Sequence, residues 1–245
     1  MDRQIKNLTH HDFSKIVPKK IDAVLLPIGT IEAHGCTNLG TDITIPEFLC
    51  EKLAEKMNML IAPTISYGIT RTLLPYTGSM TISPQAFEAY VTDVLISLFL
   101  NGFEKTIIIN GHGGHYDQLH RAASEAWQKT GGKTLVIHWW QLCNPVTQKF
   151  FGQIGAHAGI DETAMVLAAD ASLVKEEQCK NVKPYLVRDG TFAYPNPSTI
   201  LLYKSGEGEP VFDAKIAKKF ADAVIKHLES YILEVVELWK KNLDT

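Results

Sequence analysis

Lys105-Thr106-Ile107-Ile108-Ile109-Asn110 runs straight into Gly111-His112-Gly113-Gly114-His115. The first six residues carry a continuous β-branched run, Thr106 to Ile109, the pattern of a strand buried on both faces at the centre of a parallel sheet. The glycines that follow end the strand and release two imidazoles at its carboxyl end. In open parallel sheets, ligands collect at that end. Beyond this junction, 117–129 reads as a helix closed by Gly131-Gly132, and 134–139 as the next strand. Ahead of it, Ser83-Pro84 joins a capping hydroxyl to a first-turn proline. Phe87, Tyr90, Val91, Val94, Leu95, Leu98 and Phe99 then repeat at helical spacing up to Asn101-Gly102. Strands alternating with helices across short joins predict right-handed units and a mostly parallel sheet. With helices on both faces, that is a three-layer α/β/α sandwich.

Nearer the start, Ala23-Val24-Leu25-Leu26-Pro27-Ile28-Gly29 marks another buried strand, 22–29. Glu32 and His34 follow just past its end, and residues two apart in extended backbone point the same way. Asp42 can return to them because Gly35 and Gly40 let the loop turn. Carboxylate and imidazole together suit zinc, manganese or iron. Alone, this stretch also reads as a polar loop capping a strand. Two further clusters shift the balance towards a metal site: His112 with His115, and His157 with Asp161 and Glu162. His10, His11, His120, His138 and His227 have no such company and read as ordinary histidines.

The other segments place these clusters. Residues 8–16 predict a short helix, with Thr9 able to cap it and Pro18 stopping it. Pro46 suits the first turn of a helix reaching about Asn58, striped by Phe48, Leu49, Leu53 and Met57, and 59–65 reads as a short strand. Residues 66–83 lack periodicity, and their hydroxyls and aromatics fit either a substrate wall or a packed structural loop. An irregular stretch follows Trp140. A helix through 165–169 then places Asp161 or Glu162 at its N-terminus. Residues 171–212 are weakly patterned. Ile216, Phe220, Val224, Leu228, Ile232 and Val235 recur every three or four places along a last helix, 213–241, that clamps the sheet.

A chain of 245 residues, 45% hydrophobic, fits one α/β domain spanning 1–245 with a large core. Its net charge of -3 offers no basic footprint for nucleic acid. No apolar run approaches the ~20 residues of a membrane span, and the polar start is not a secretory signal. Cys36, Cys50, Cys143 and Cys179 show no paired spacing, which predicts free thiols in a reducing cytoplasm.

Four motifs in order resemble the creatininase (creatinine amidohydrolase) family. They are Pro27-Ile28-Gly29-Thr30-Ile31-Glu32-Ala33-His34-Gly35, Leu39-Gly40-Thr41-Asp42, Asn110-Gly111-His112-Gly113-Gly114, and His157-Ala158-Gly159-Ile160-Asp161-Glu162-Thr163. The resemblance implies an α/β/α hydrolase of non-peptide carbon–nitrogen bonds, acting on a small cyclic amide or formamide. It implies two divalent metal ions, zinc first with manganese or iron as the other choices, and a homo-oligomer such as a hexamer. Glu32, Asp42 and His112 would hold one ion, His34 and Asp42 the other with Asp42 bridging, and His157 would lie near the scissile group. Two such ions polarise a carbonyl and acidify a water held between them. An imidazole titrating near neutrality can pass a proton to the leaving nitrogen.

By the same resemblance, Ser79 and Thr81 fall in a substrate loop, and Trp140 matches a tryptophan of creatinine-hydrolysing members. Those members carry Tyr-Glu where this chain has Gly113 and Gly114, and Trp where it has Gln153; many relatives have Asn at His115 and Pro at Cys36. Gly113, Trp140 and Gln153 thus belong to an altered substrate wall, and creatinine is expected to be a poor substrate. The missing glutamate leaves the second ion two protein ligands, whereas catalytic zinc usually keeps three plus water. Glu162 is expected to supply the third and so to join His157 in the chemistry, with Asp161 and His115 as fallback donors. Glu162 also reads as a helix-start residue favoured by the dipole, or as a carboxylate orienting a ligand imidazole. Two other readings compete. One is the family's deformylase branch, which acts on pyrimidine intermediates of flavin-type cofactor synthesis and shares Asn-Gly-His-Gly-Gly. The other is a non-catalytic α/β ligand-binding module using Gly111 to Gly114 as an anion cradle.

Overall fold

A computed structural model describes residues 1–179, 185–186, 188, 190–191, 202–203 and 207–242. The chain enters through α1 (His10–Ile16), where Thr9 Oγ1 accepts from the Asp12 N–H at 3.1 Å as the cap. Next come β1 (Ala23–Ile28), α2 (Thr41–Lys56), the two-residue β2 (Leu60–Ile61), α3 (Pro84–Leu100) and β3 (Lys105–Asn110). α4 (Tyr116–Thr130), β4 (Lys133–His138), α5 (Trp139–Leu142), α6 (Asn144–Phe151) and α7 (Ile160–Ala169) follow. The described part closes with α8 (Glu176–Cys179), the paired β5 (Tyr185–Leu186) and β6 (Leu202–Tyr203), and α9 (Ala214–Asn242).

The main sheet has the order β2-β1-β3-β4, and every pairing in it is parallel. β1 and β3 take the inner places, and each of their residues is buried. Alternation along these strands sorts their side chains between two cores. Leu25, Ile107 and Ile109 pack with Leu49 and Leu53 of α2, Met165 and Val166 of α7, and Phe220, Val224 and Leu228 of α9. Val24, Leu26 and Ile108 pack on the opposite face with Phe87, Val91 and Leu95 of α3 and with Leu119, Ala122 and Ala126 of α4. The result is the expected three-layer α/β/α arrangement. Fully burying one such aliphatic side chain contributes about 1.5–3 kcal/mol, so the apolar stripe of α9 is enough to clamp it to the sheet.

Three segments differ from the sequence expectation. α2 starts at Thr41, not Pro46, which leaves Pro46 inside the helix. A proline there removes the backbone bond that would have ended on the carbonyl four residues back, which is that of Asp42. That carbonyl packs instead against the ends of the two inner strands: a Cβ added at Gly29 or Gly111 would overlap Asp42 O. Asp42 therefore sits on the first turn of a helix seated at the sheet's carboxyl end, not in a returning loop. Gly35 has a left-handed φ of 60°, whereas Gly40 has an ordinary φ of -92°. The strand expected over 59–65 shortens to β2, and two short helices, α5 and α6, replace the irregular stretch after Trp140. Pro145 in the first turn and Gly152 at φ 73° close off α6, and both signals were present in the sequence.

The expectation of free thiols fails for one pair, because Cys36 and Cys179 form a disulfide. They are 143 residues apart, beyond what spacing can reveal. They meet where Thr37 bridges Val174 and the Lys175 N–H donates to Cys36 O at 2.7 Å. Cys50 and Cys143 are free and buried. The cysteines thus no longer argue for a reducing compartment. No helix among the described residues is long and apolar enough to cross a membrane. Part of the weakly patterned stretch 171–212 lies outside the described residues.

Candidate metal centre

The ends of β1 and β3 and the first turns of α2 and α7 converge on one cavity of about 530 Å³. Glu32, Asp42, His112, His157, Asp161 and Glu162 all line it. The Asp42 carboxylate stands between two imidazoles: Oδ1 is 2.9 Å from His34 Nε2, and Oδ2 is 2.8 Å from His112 Nδ1. Glu32 Oε2 lies 3.5 Å from His112 Nδ1, and Glu162 Oε2 lies 3.7 Å from His34 Nε2. Three sets of possible ligand atoms therefore cluster, each within 4.8 Å: Glu32/Asp42/His112, His34/Asp42/Glu162 and Glu32/His34/His157. Asp42 belongs to the first two sets.

Backbone carbonyls determine which ring nitrogens face this centre. A carbonyl can only accept, so His34 Nδ1–H donates to Glu32 O at 2.9 Å and leaves Nε2 for Asp42. His34 Nε2 is buried, and for all its nearness to Asp42 it makes no well-directed hydrogen bond. His112 Nε2–H donates to Ile69 O at 2.9 Å, which turns Nδ1 towards Asp42 and Glu32. His157 Nε2–H donates to Ala33 O at 2.9 Å, and its ring centroid is 4.3 Å from that of His34. An orphaned buried imidazole nitrogen amid hard carboxylate oxygens is the donor set that zinc or manganese takes. The residues fit a divalent ion.

The electrostatics of the metal-free cluster follow from burial and from Asp42. Burial alone would push His34 down, but Asp42, Glu162 and Glu32 override it and hold the imidazole up at about 10. His112 is likewise lifted against burial, by Asp42 and then Glu32, to about 9. Burial works to raise Asp42, yet His34 and His112 hold it well below the usual carboxylate range. Burial raises Glu32, and it raises Glu162 to about 8 and Asp161 to about 6. His157 is driven down to about 3 by burial and then by His34, so in the metal-free cluster it is a neutral acceptor and not the imidazole titrating near neutrality that its residue type predicts.

The remaining residues singled out in the sequence spread out around the centre. Gly113 and Trp140 line the cavity. Ser79 and Thr81 do not: Ser79 Oγ accepts from the Ala33 N–H at 3.0 Å, and Thr81 Oγ1 accepts from the Thr70 N–H at 3.1 Å. Both hydroxyls tie the 66–83 loop together or to the metal loop. Gln153 is also off the cavity wall, beside Gly208. Glu162 accepts from the Ala158 N–H at 2.6 Å, and Asp161 accepts from the Ala156 N–H at 3.2 Å. His115 is fully buried and hydrogen-bonded at both ring nitrogens, so it has no nitrogen left for a metal. His138, read as ordinary, has its Nδ1 2.8 Å from Asn110 Nδ2 and stacks on Tyr116. Arg71 and Tyr116 are cavity residues that the sequence did not single out, since neither sits in a patterned motif.

A family model described as creatinine amidohydrolase matches residues 6–232. Creatinine amidohydrolase of Pseudomonas putida is 23% identical over 191 residues, 69% of this chain and 73% of that protein. The 3-dehydro-scyllo-inosose hydrolase of Thermotoga maritima is 30% identical over 104 residues, 40% of this chain and 32% of that protein. Solved creatininases share the fold. A tryptophan-to-alanine variant aligns with a TM-score of 0.85 at 18% identity, covering 96% of this chain and 98% of the other. Creatininase Mn does so with 0.82 at 19% over the same shares. The motifs that converge here, from Pro27 to Thr163, all fall within the matched span, and the chain belongs to the creatininase (creatinine amidohydrolase) family: it is a metal-binding hydrolase of carbon–nitrogen bonds other than peptide bonds.

Proposed function

We propose that this chain, as one domain over 1–245, hydrolyses a small cyclic amide or formamide at a centre of two divalent cations. Zinc is the first choice, with manganese or iron as the others. The observation that carries this reading is the shared carboxylate: Asp42 belongs both to the set with Glu32 and His112 and to the set with His34 and Glu162. A creatininase variant described as Zn-Zn type, the Mn form and a creatine complex support paired divalent ions and a small-molecule substrate. Assembly as a homo-oligomer, a hexamer by family resemblance, belongs to the same reading.

When bound, the cations polarise the substrate carbonyl and make water nucleophilic near neutral pH. The protein's own part is positioning and proton transfer. Asp42, held on the first turn of α2, and the two oriented imidazoles fix where the carbonyl can sit. A water oxygen bonds to the carbonyl carbon, the carbon–nitrogen bond breaks, and the water's proton ends on the leaving nitrogen. His157 carries that proton: its Nε2–H is engaged by Ala33 O, so Nδ1 is the nitrogen that takes it and delivers it. About two ions per chain after zinc reconstitution, together with turnover of at least one cyclic amide or formamide, is the expected result. A protein that holds no metal through gentle purification and reconstitution would favour the ligand-binding module instead.

Zinc uptake should release protons. At pH 7, His34 (about 10), His112 (about 9) and Glu162 (about 8) all lie above the solution pH, so each carries its proton in the metal-free protein. Metal ligands must give those protons up. Titrating zinc into weakly buffered metal-free protein should acidify the solution, and apparent affinity should rise steeply from pH 7 towards pH 9. A pH-independent affinity with no proton release would contradict this assignment of ligands.

The substrate wall argues against creatinine. A Cβ at Gly113 would meet only Trp140, at 3.8 Å, so the space filled by a tyrosine in creatinine-hydrolysing members is open here. At Gly114 a Cβ would overlap Ile69 O and come within 2.6 Å of His112 Nε2, so a glutamate cannot be restored there without moving Ile69. Lost packing and hydrogen bonds at one wall lower transition-state binding by about 1–3 kcal/mol, or 10–200-fold. In a panel of cyclic amides, formamides and formylated aminopyrimidines, creatinine should therefore fall about 10²-fold below the best compound in kcat/KM. Creatinine as the best substrate would refute this. A formylated aminopyrimidine as the best would identify the deformylase branch, in keeping with the shared Asn-Gly-His-Gly-Gly.

A further inference from the structure

We propose that His115 is a positioning residue that, through Asn110 and the backbone of Ile69, locks His112 as its Nε2–H tautomer and so presents Nδ1 to a cation. The inference rests on the metal-centre reading above and adds to it a residue whose two ring nitrogens are both engaged elsewhere, its ring standing edge-on to that of His112 with centroids 4.8 Å apart.

Each proton in the network is assigned by a backbone group. Asn110 Nδ2 lies 2.6 Å from His112 O; a carbonyl only accepts, so the amide is oriented with its nitrogen there and Oδ1 elsewhere. Oδ1 then faces His115 Nδ1 at 2.9 Å, so His115 Nδ1–H donates to it. At the other end of the ring, the Ile69 N–H donates to His115 Nε2 at 3.2 Å. His115 is thus a neutral ring whose acceptor nitrogen fixes the Gly68–Ile69 peptide and with it the place of the Ile69 backbone. The carbonyl of Ile69 accepts in turn from His112 Nε2–H at 2.9 Å. The N–H and the C=O of one residue, in the successive peptide groups either side of its Cα, thus bond two imidazoles, and the second of them turns its remaining nitrogen to Asp42 at 2.8 Å.

The surroundings are shaped to this arrangement. A Cβ at Gly68 would overlap His115 Nε2, and one at Gly114 would overlap Ile69 O. Phe87 of α3 stacks on the His115 ring, with centroids 4.2 Å apart and planes 21° from parallel. His115 is fully buried, yet it packs its polar edges only against Ile69 and Asn110. An apolar residue would fill that volume without the cost of burying two polar nitrogens. Partners that orient a ligand imidazole typically contribute 10–100-fold to metal affinity.

The test uses the full-length zinc-loaded protein. In the parent, ¹⁵N-histidine spectra should show His112 protonated at Nε2 with zinc on Nδ1, and His115 neutral with its proton on Nδ1. His115→Leu fills the space but offers no acceptor, and zinc at the site containing His112 should weaken 10–100-fold while the site containing His34 stays as in the parent. His115→Gln can place a side-chain oxygen where Nε2 stood, and should recover most of that loss. A His112 proton on Nδ1 in the zinc-loaded parent would overturn the proposal, and this readout does not depend on how the variants fold. Parent-like zinc binding in His115→Leu would overturn it too. A parent protein that takes up no zinc would instead refute the metal-centre reading, so the two failures are distinguishable.

Discussion

Asp42→Asn should abolish dinuclear metal binding and lower hydrolysis by about 10³-fold or more, since in the proposed two-cation centre it removes a ligand shared by both ions and forfeits several kcal/mol of charge stabilisation. The change keeps volume and removes charge. The two oxygens of Asp42 face different imidazoles, one 2.9 Å from His34 Nε2 and one 2.8 Å from His112 Nδ1, so neither cation would keep a full ligand set. The metal-free protein should feel the change as well. Its raised imidazole pKa values contribute stability that is fully present below about pH 6.5 and is lost as pH rises through about 9 for His112 and about 10 for His34. Removing the counter-ion of such a buried cluster costs about 3–5 kcal/mol, and in Asp42→Asn the decline in stability over that window should flatten. Metal content after dialysis and thermal unfolding of the metal-free protein from pH 6 to 10 check both parts. Two tightly held ions in the variant would sink the bridging role. An aspartate that merely capped α2 would cost only ~1 kcal/mol and leave metal binding untouched.

Glu162→Gln should weaken the site containing His34 by 10-fold or more and leave the site of Glu32 and His112 intact. Glu162 Oε2 lies 3.7 Å from His34 Nε2 in a ligand set with Asp42, which provides the third donor that the two glycines after His112 cannot. The fold should tolerate the change. The Gln oxygen can still accept from the Ala158 N–H, the bond that Glu162 makes at 2.6 Å. Burial raises Glu162 to about 8, above its ordinary 4.5, so its ionised form costs the metal-free protein stability at every pH above about 4.5. Replacing it with a neutral amide should leave Tm at pH 7 unchanged or raise it. Loss of one zinc with an unchanged or higher Tm separates ligation from a structural role. Two parent-like sites would mean that Glu162 only holds the Ala158 turn; the set of Glu32, His34 and His157 would then be the place to look for the missing donor.

Local signals decided the fold and let it be read before any coordinates. The β-branched run at 105–110, the Ser83 cap with Pro84, the glycine after α4 and the apolar period of α9 each depend on residues a few places apart, and each element formed nearly where expected. The same holds for the meeting of Glu32, His34 and His112 in one candidate cluster, because they follow directly on strands that lie side by side in a parallel sheet. The departures share a different character. Asp42 on a helix start required Gly29 and Gly111 to admit a backbone from another layer. Ser79 and Thr81 bonded to loop backbone, and Cys36 found Cys179 across 143 residues. His115 was read as a fallback ligand because its bonds to Ile69 and Asn110 exist only once the loop after β2 folds over the end of β3. Which nitrogen of His112 faces the centre was decided by a carbonyl 43 residues away. Caps and periodicities are set within one or two turns of chain, but tautomers, disulfides and buried charge depend on partners that only the packed layers bring within 3 Å of one another.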